Sequence, residues 1–123
     1  PRATEGTVAY SSVESISLRY KTDGIPESAP ELQRPRNNSI EDDDTPYLDW
    51  GNVEGADHYK VWLYDLETKE KVVTGRYSKG SYLNMGSADR LTDGKTYEWY
   101  VRACNANREC GPSSTKFQFK VEK

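Results

Sequence analysis

From position 97 to 104 the chain alternates, with Tyr97, Trp99, Val101 and Ala103 on one face and Glu98, Tyr100, Arg102 and Cys104 on the other. A period of two with one apolar face is the pattern of a half-buried strand. Thr92-Asp93-Gly94, just upstream, reads as the turn that leads into it. Residues 58–64 repeat the pattern: Tyr59, Val61 and Leu63 form an inward set, and His58, Lys60, Trp62 and Tyr64 an outward set. Leu48 and Trp50 point the same way in a short strand over 47–50. Residues 71–77, 81–85 and 117–121 give three more strands, with Gly75 placed for a β-bulge. Leu32, beside Pro35, marks a first strand that belongs at a sheet edge. About seven short strands, separated by turn signals and without sustained helical periodicity, predict an all-β antiparallel sandwich. Its core is expected to hold Trp50, Tyr59, Tyr97, Trp99, Phe117 and Phe119.

The N-terminal part is less regular. Residues 7–10 and 16–20 alternate and could add one or two strands, close a preceding domain, or form an irregular extension. Residues 21–30 carry Gly24, Pro26, Ser28 and Pro30 and read as a linker. The expected organisation is therefore an extension or domain end over 1–29 and a folded domain over 30–123. A chain that opens on Pro1 with no leader in view is expected to be a piece of a longer protein.

Composition narrows the function classes. Only 34% of the 123 residues are hydrophobic, and the mean hydropathy is -0.94. These values suit a thin two-layer structure with a small core. Nine Tyr and three Trp against a single Met favour strands. A net charge of -3 argues against nucleic acid or an anionic membrane as principal partner. No run of about 18 apolar residues predicts insertion into a membrane.

Little in the sequence points to catalysis. His58 is the single histidine, stands beside Asp57 on the outward face of its strand, and has no G-x-S-x-G elbow to serve. The acidic run 41–44 lacks the alternating ligand spacing and glycine of a calcium loop and reads as a solvated loop. Asn37-Asn38-Ser39 is a formal glycosylation sequon. No metal site or cofactor is expected, and the chain is read as a non-enzyme. Cys104 and Cys110 lack the further ligands that a metal would need. They are read as a disulfide closing a hairpin loop, with two free thiols as the alternative. Such a bridge implies an oxidising compartment and contributes about 2 kcal/mol.

From position 30 to 122 the chain resembles a fibronectin type III domain. The resemblance rests on Trp50 in the second strand, Gly55-Ala56 leading to Tyr59-Lys60-Val61, and the run from Leu91 through Asp93-Gly94 to Tyr97. Val101-Arg102-Ala103 with Asn105, and Gly111-Pro112-Ser113-Ser114 before the last strand, continue it. The connector from Trp50 to Tyr59 is short for the family, and the Cys104/Cys110 pair is not a family-wide feature. The resemblance implies an immunoglobulin-like sandwich. It also implies a tyrosine corner at Leu91 and Tyr97, where the phenol hydroxyl bonds an upstream backbone group. In that topology the strands of Trp62, Tyr64 and Tyr100 are neighbours, so the three rings should cluster outward, flanked by Lys60 and Arg102.

Outward aromatics on a sheet face suggest a contact surface. Cross-strand packing and cover by the N-terminal strands are the alternatives. The expected function is that of a non-catalytic extracellular or cell-surface module that spaces domains or mediates protein contacts and adhesion. Its partners would be neighbouring domains of the same polypeptide and a protein or glycan ligand. The alternative is an accessory carbohydrate-binding module of a secreted glycan-active enzyme, favoured if Trp62 and Tyr64 are exposed and coplanar.

Overall fold

A computed structural model of the protein describes residues 24–123. The strands read at 7–10 and 16–20 lie outside the described residues. Nine strands follow in chain order: β1 Leu32–Arg34, β2 Ser39–Glu41, β3 Leu48–Trp50, β4 His58–Asp65, β5 Lys71–Ser78, β6 Tyr82–Leu83, β7 Thr96–Cys104, β8 Cys110–Ser113 and β9 Phe117–Val121. They make a three-stranded sheet, β1-β3-β6, and a six-stranded sheet, β2-β9-β7-β4-β5, in which β8 also pairs with β7. The seven expected strands are present. The two additional ones carry weak signals. β2 has Ile40 as its one apolar residue, and that side chain is exposed. β8 is built from Gly111 and Pro112, which read as a loop. β2 runs parallel to β9, an exception to the otherwise antiparallel pairing.

The alternation in the sequence places the core between the sheets. Leu48 and Trp50 come from the three-stranded layer, and Val61, Leu63, Trp99, Val101 and Phe119 from the six-stranded one. Trp50 meets the Tyr59 ring edge-on at 5.6 Å and lies 6.4 Å from Trp99, so three rings join the layers. Phe117 departs from its expected core position: at the start of β9 it is only partly buried against the cluster.

Two core tyrosines also hold connections through their hydroxyls. Tyr97 Oη accepts a hydrogen bond from the Thr92 N–H at 2.9 Å, pinning the passage into β7. Tyr59 Oη accepts one from the Val53 N–H at 2.8 Å, pinning the connection into β4. Each bond satisfies a loop amide that burial would otherwise strand.

The acidic run divides. Asp42 and Asp43 are exposed, as a solvated loop requires, but Asp44 is buried. Its carboxylate accepts from Lys123 Nζ at 2.8 Å and Arg90 Nη1 at 2.9 Å, and these cations hold its carboxyl below the ordinary range. Its carbonyl oxygen accepts from the Leu91 N–H at 2.7 Å, so one residue joins three distant segments. Within the described part of the stretch read as a linker, residues 24–30, Pro26 and Pro30 are buried. A Cβ on Gly111 would lie 2.1 Å from the Pro26 carbonyl oxygen, an approach only glycine permits.

Candidate contact face on the six-stranded sheet

The outward residues of β4 and β7 face one another in direct register, giving four rungs: His58 opposite Cys104, Lys60 opposite Arg102, Trp62 opposite Tyr100, and Tyr64 opposite Glu98. Strand alternation supplies the outward direction and the antiparallel ladder the pairing. Trp62 and Tyr100 stack at 5.0 Å between centroids with an interplanar angle of 9°. Gly75 lies on the β5 side of the indole, where a Cβ would stand 3.4 Å from Trp62 Cζ2. Its φ of 57° belongs to a bulge in which β5 carries one extra residue opposite Trp62. On the other side, Lys116 Nζ lies over the Tyr100 ring, 5.5 Å from its centroid. A row of Gly75, Trp62, Tyr100 and Lys116 thus crosses the sheet, and the ring faces within it are occupied.

Tyr64 does not join this stack. Its hydroxyl donates to Glu98 Oε1, while Lys69 Nζ lies 5.7 Å from the centre of its ring. Burial first, and then the Glu98 carboxylate, push the Tyr64 phenol up to about 12. Lys60 and Arg102 form the adjoining rung at one end of the stack. Arg102 donates from Nε to the Gly111 carbonyl at 2.7 Å and from Nη2 to the Cys110 carbonyl at 3.1 Å. β8 is held beside it by the Cys104–Cys110 disulfide. Sequence reading missed Lys116, Lys69 and Tyr77 as members of this face. The continued alternation 116, 118, 120 could have placed Lys116, whereas the β5 bulge broke the parity that would have placed Tyr77.

No family model matches the sequence, and no curated protein matches it. Among solved structures the chain is similar to the kinase region of twitchin from C. elegans, with 17% identity over 81% of this chain and a TM-score of 0.58, spanning 17% of that chain. It is also similar to the fn3 domain of human collagen alpha-1(XX), with 18% identity over 81% of this chain and 91% of that one and a TM-score of 0.57. An Fn3-like protein from Clostridium thermocellum gives 19% identity over 78% of this chain and 97% of that one, with a TM-score of 0.53. The chain has a fibronectin type III fold. On that scaffold the rungs above are the outer surface of the larger sheet, and the neighbours are similar to this chain in fold alone.

His58, expected on the outward face, lies on that face but is buried. Its ring stacks on Tyr77 at 4.6 Å, and Nδ1 lies 2.9 Å from Asp57 Oδ2. His58 and then Lys79 hold the Asp57 carboxyl below its ordinary value. The His58 Nε2 is buried without a hydrogen-bond partner among the described residues. No group of three or more His, Cys, Asp or Glu side chains is arranged for a metal among them either. A further stacked pair, Tyr47 with Tyr82, is exposed, stands at 5.7 Å on the three-stranded sheet and was not singled out by sequence, whereas Trp62 and Tyr100 are half-buried.

Proposed function

We propose that the protein is a non-catalytic extracellular or cell-surface module whose six-stranded sheet makes contact with a protein partner, with neighbouring domains of its own polypeptide held by the ends of the sandwich. The observation that carries this reading is the Trp62–Tyr100 stack with Lys60, Arg102 and Lys116 around it. Trp, Tyr and Arg are the residues that most often dominate protein contacts. The disulfide is consistent with an oxidising compartment. Exposed Tyr77, at 56%, extends the same face toward β5.

A glycan platform has less support. A sugar ring stacks on an open aromatic face, and here Trp62 and Tyr100 cover one another while Tyr64 is tied to Glu98. A photo-crosslinking amino acid placed at Tyr77, and separately at Tyr82 on the other sheet, tests the reading on the source cell's surface and matrix proteins. Crosslinked protein products from position 77 and none from 82 are expected. Products from 82 alone, or from neither position, would contradict it.

A further inference from the structure

We infer that this face takes an acidic segment of a partner protein, with carboxylates seated at Lys60 and Arg102 beside the edges of Trp62 and Tyr100. The inference rests on the contact reading above and adds the chemistry of the partner.

Lys60 and Arg102 stand directly opposite one another on β4 and β7. Like charges in that relation destabilise a sheet, and neither has a carboxylate partner among the described residues. The bonds from Arg102 to the Gly111 and Cys110 carbonyls fix its guanidinium in place without neutralising it. Lys116 and Lys69, over the rings of Tyr100 and Tyr64, also have no carboxylate partner among the described residues.

Of the ten other cations among the described residues, seven are ion-paired with acids and three, Arg36, Lys71 and Arg108, are not. Arg34 is paired with Asp49, Arg76 with Asp89, Arg90 with Asp44 and Lys95 with Asp65. A chain of net charge -3 has acids enough to neutralise every cation, yet it leaves these together. Two acids border this face: Asp57, beside the His58 rung, is taken by His58 and Lys79, and Glu98 is occupied by the Tyr64 hydroxyl and by Gln118 Nε2 and lies beyond the Trp62–Tyr100 rung from Lys60 and Arg102.

The rings add to the same potential. An aromatic ring is negative on its face and positive at its edge. With Trp62 and Lys116 on the two faces of Tyr100, the edges are what remain for a ligand. A carboxylate arriving here meets positive ring edges, an ammonium and a guanidinium. It also relieves the repulsion between Lys60 and Arg102. An acidic peptide with apolar or aromatic residues between its carboxylates matches that sequence of groups. An acidic glycan would match the charges but lacks an open ring face to stack on.

Fluorescence anisotropy tests the inference, using a labelled peptide of about twelve residues that alternates glutamate and tyrosine, titrated with the whole 123-residue chain. Binding is expected, weakening roughly tenfold between ~50 and ~300 mM NaCl. The double variant Lys60→Glu/Lys116→Glu, checked for an unchanged melt, should bind roughly tenfold more weakly at low salt. Lys60→Arg should bind like wild type, as should Arg36→Glu, which alters a cation lining a separate cleft with Tyr47. No binding by wild type, binding indifferent to salt, or equal binding by the charge-reversed variant would overturn the inference. Capture of heparin with no capture of the peptide would overturn it in favour of a glycan. Crosslinks from Tyr77 that persist undiminished in the charge-reversed variant would remove the acidic partner and leave the contact reading. Absence of crosslinks from Tyr77 in the wild type would remove the contact reading itself.

Discussion

Tyr97 and Tyr64 use the same functional group in opposite senses. The buried Tyr97 hydroxyl accepts from the Thr92 N–H, whereas the half-buried Tyr64 hydroxyl donates to Glu98. Removing the first with Tyr97→Phe leaves a loop amide unpartnered and should cost about 1 kcal/mol. A urea titration would show a lower midpoint at unchanged slope, and an unchanged midpoint would contradict that role. The second makes a prediction in pH. The folded protein holds the Tyr64 proton more tightly than the unfolded chain does, about 12 against 10.0. Its contribution is therefore complete below pH 10.0 and is lost as pH rises toward about 12. The stability difference between wild type and Tyr64→Phe should shrink across that window, and a difference that grows would refute the assignment. Much at this scale was legible from parity alone. Tyr97, Trp99, Tyr59 and Val61 face inward because an alternating strand allows no other placement. The bond from the Val53 N–H to Tyr59 was not legible, since it depends on how the loop from β3 to β4 folds back. Nor was the burial of His58, which comes from Tyr77 on a strand whose parity the bulge disturbs.

At the scale of elements, β7 is the strand on which the sheet depends: it pairs with β4, β9 and β8. The β7–β8 hairpin is closed twice. Asn105 Oδ1 accepts from the Asn107 and Glu109 N–H groups at 3.0 and 2.9 Å, and Cys104 is bonded to Cys110 across the ladder. Because Asn105 already shapes the turn, the bridge acts chiefly on the unfolded chain, and its loss should cost about 2 kcal/mol. Cys104→Ala/Cys110→Ala should melt on the order of 10 °C below the oxidised wild type and together with the reduced wild type. A wild-type melt that reduction leaves unmoved would contradict this. The hairpin also bears on the proposed contact face, because β8 carries the two carbonyls that hold Arg102. Sequence reading reached the disulfide from two cysteines near one strand. It missed β8 as a strand because Gly111-Pro112 is turn-like composition, and here an edge position and a covalent tie outweigh it.

For the whole molecule, the division of charge decides the reading. A net charge of -3 spread over the chain gave no hint of a cationic surface, since Lys60, Arg102 and Lys116 are far apart in sequence and meet only through the order β9-β7-β4. The fold class could be read because alternation and turns recur along the chain. The site could be read only in part: Trp62, Tyr100, Lys60 and Arg102 meet as neighbouring-strand geometry predicts, while Tyr64 turns to Glu98 and Lys116 takes its place against the stack. The contact reading requires this surface to be open in the intact chain. Paramagnetic relaxation by a soluble gadolinium chelate, recorded on the ring protons of the full 123-residue protein, measures that openness directly. The account predicts strong relaxation of the Tyr77 ring, comparable to that of Tyr47 and Tyr82, and measurable but weaker relaxation of the outer edges of the half-buried Trp62 and Tyr100. Shielding of Tyr77, Trp62 and Tyr100 while Tyr47 and Tyr82 relax fully would contradict it, because the face would then be covered by the chain's own residues.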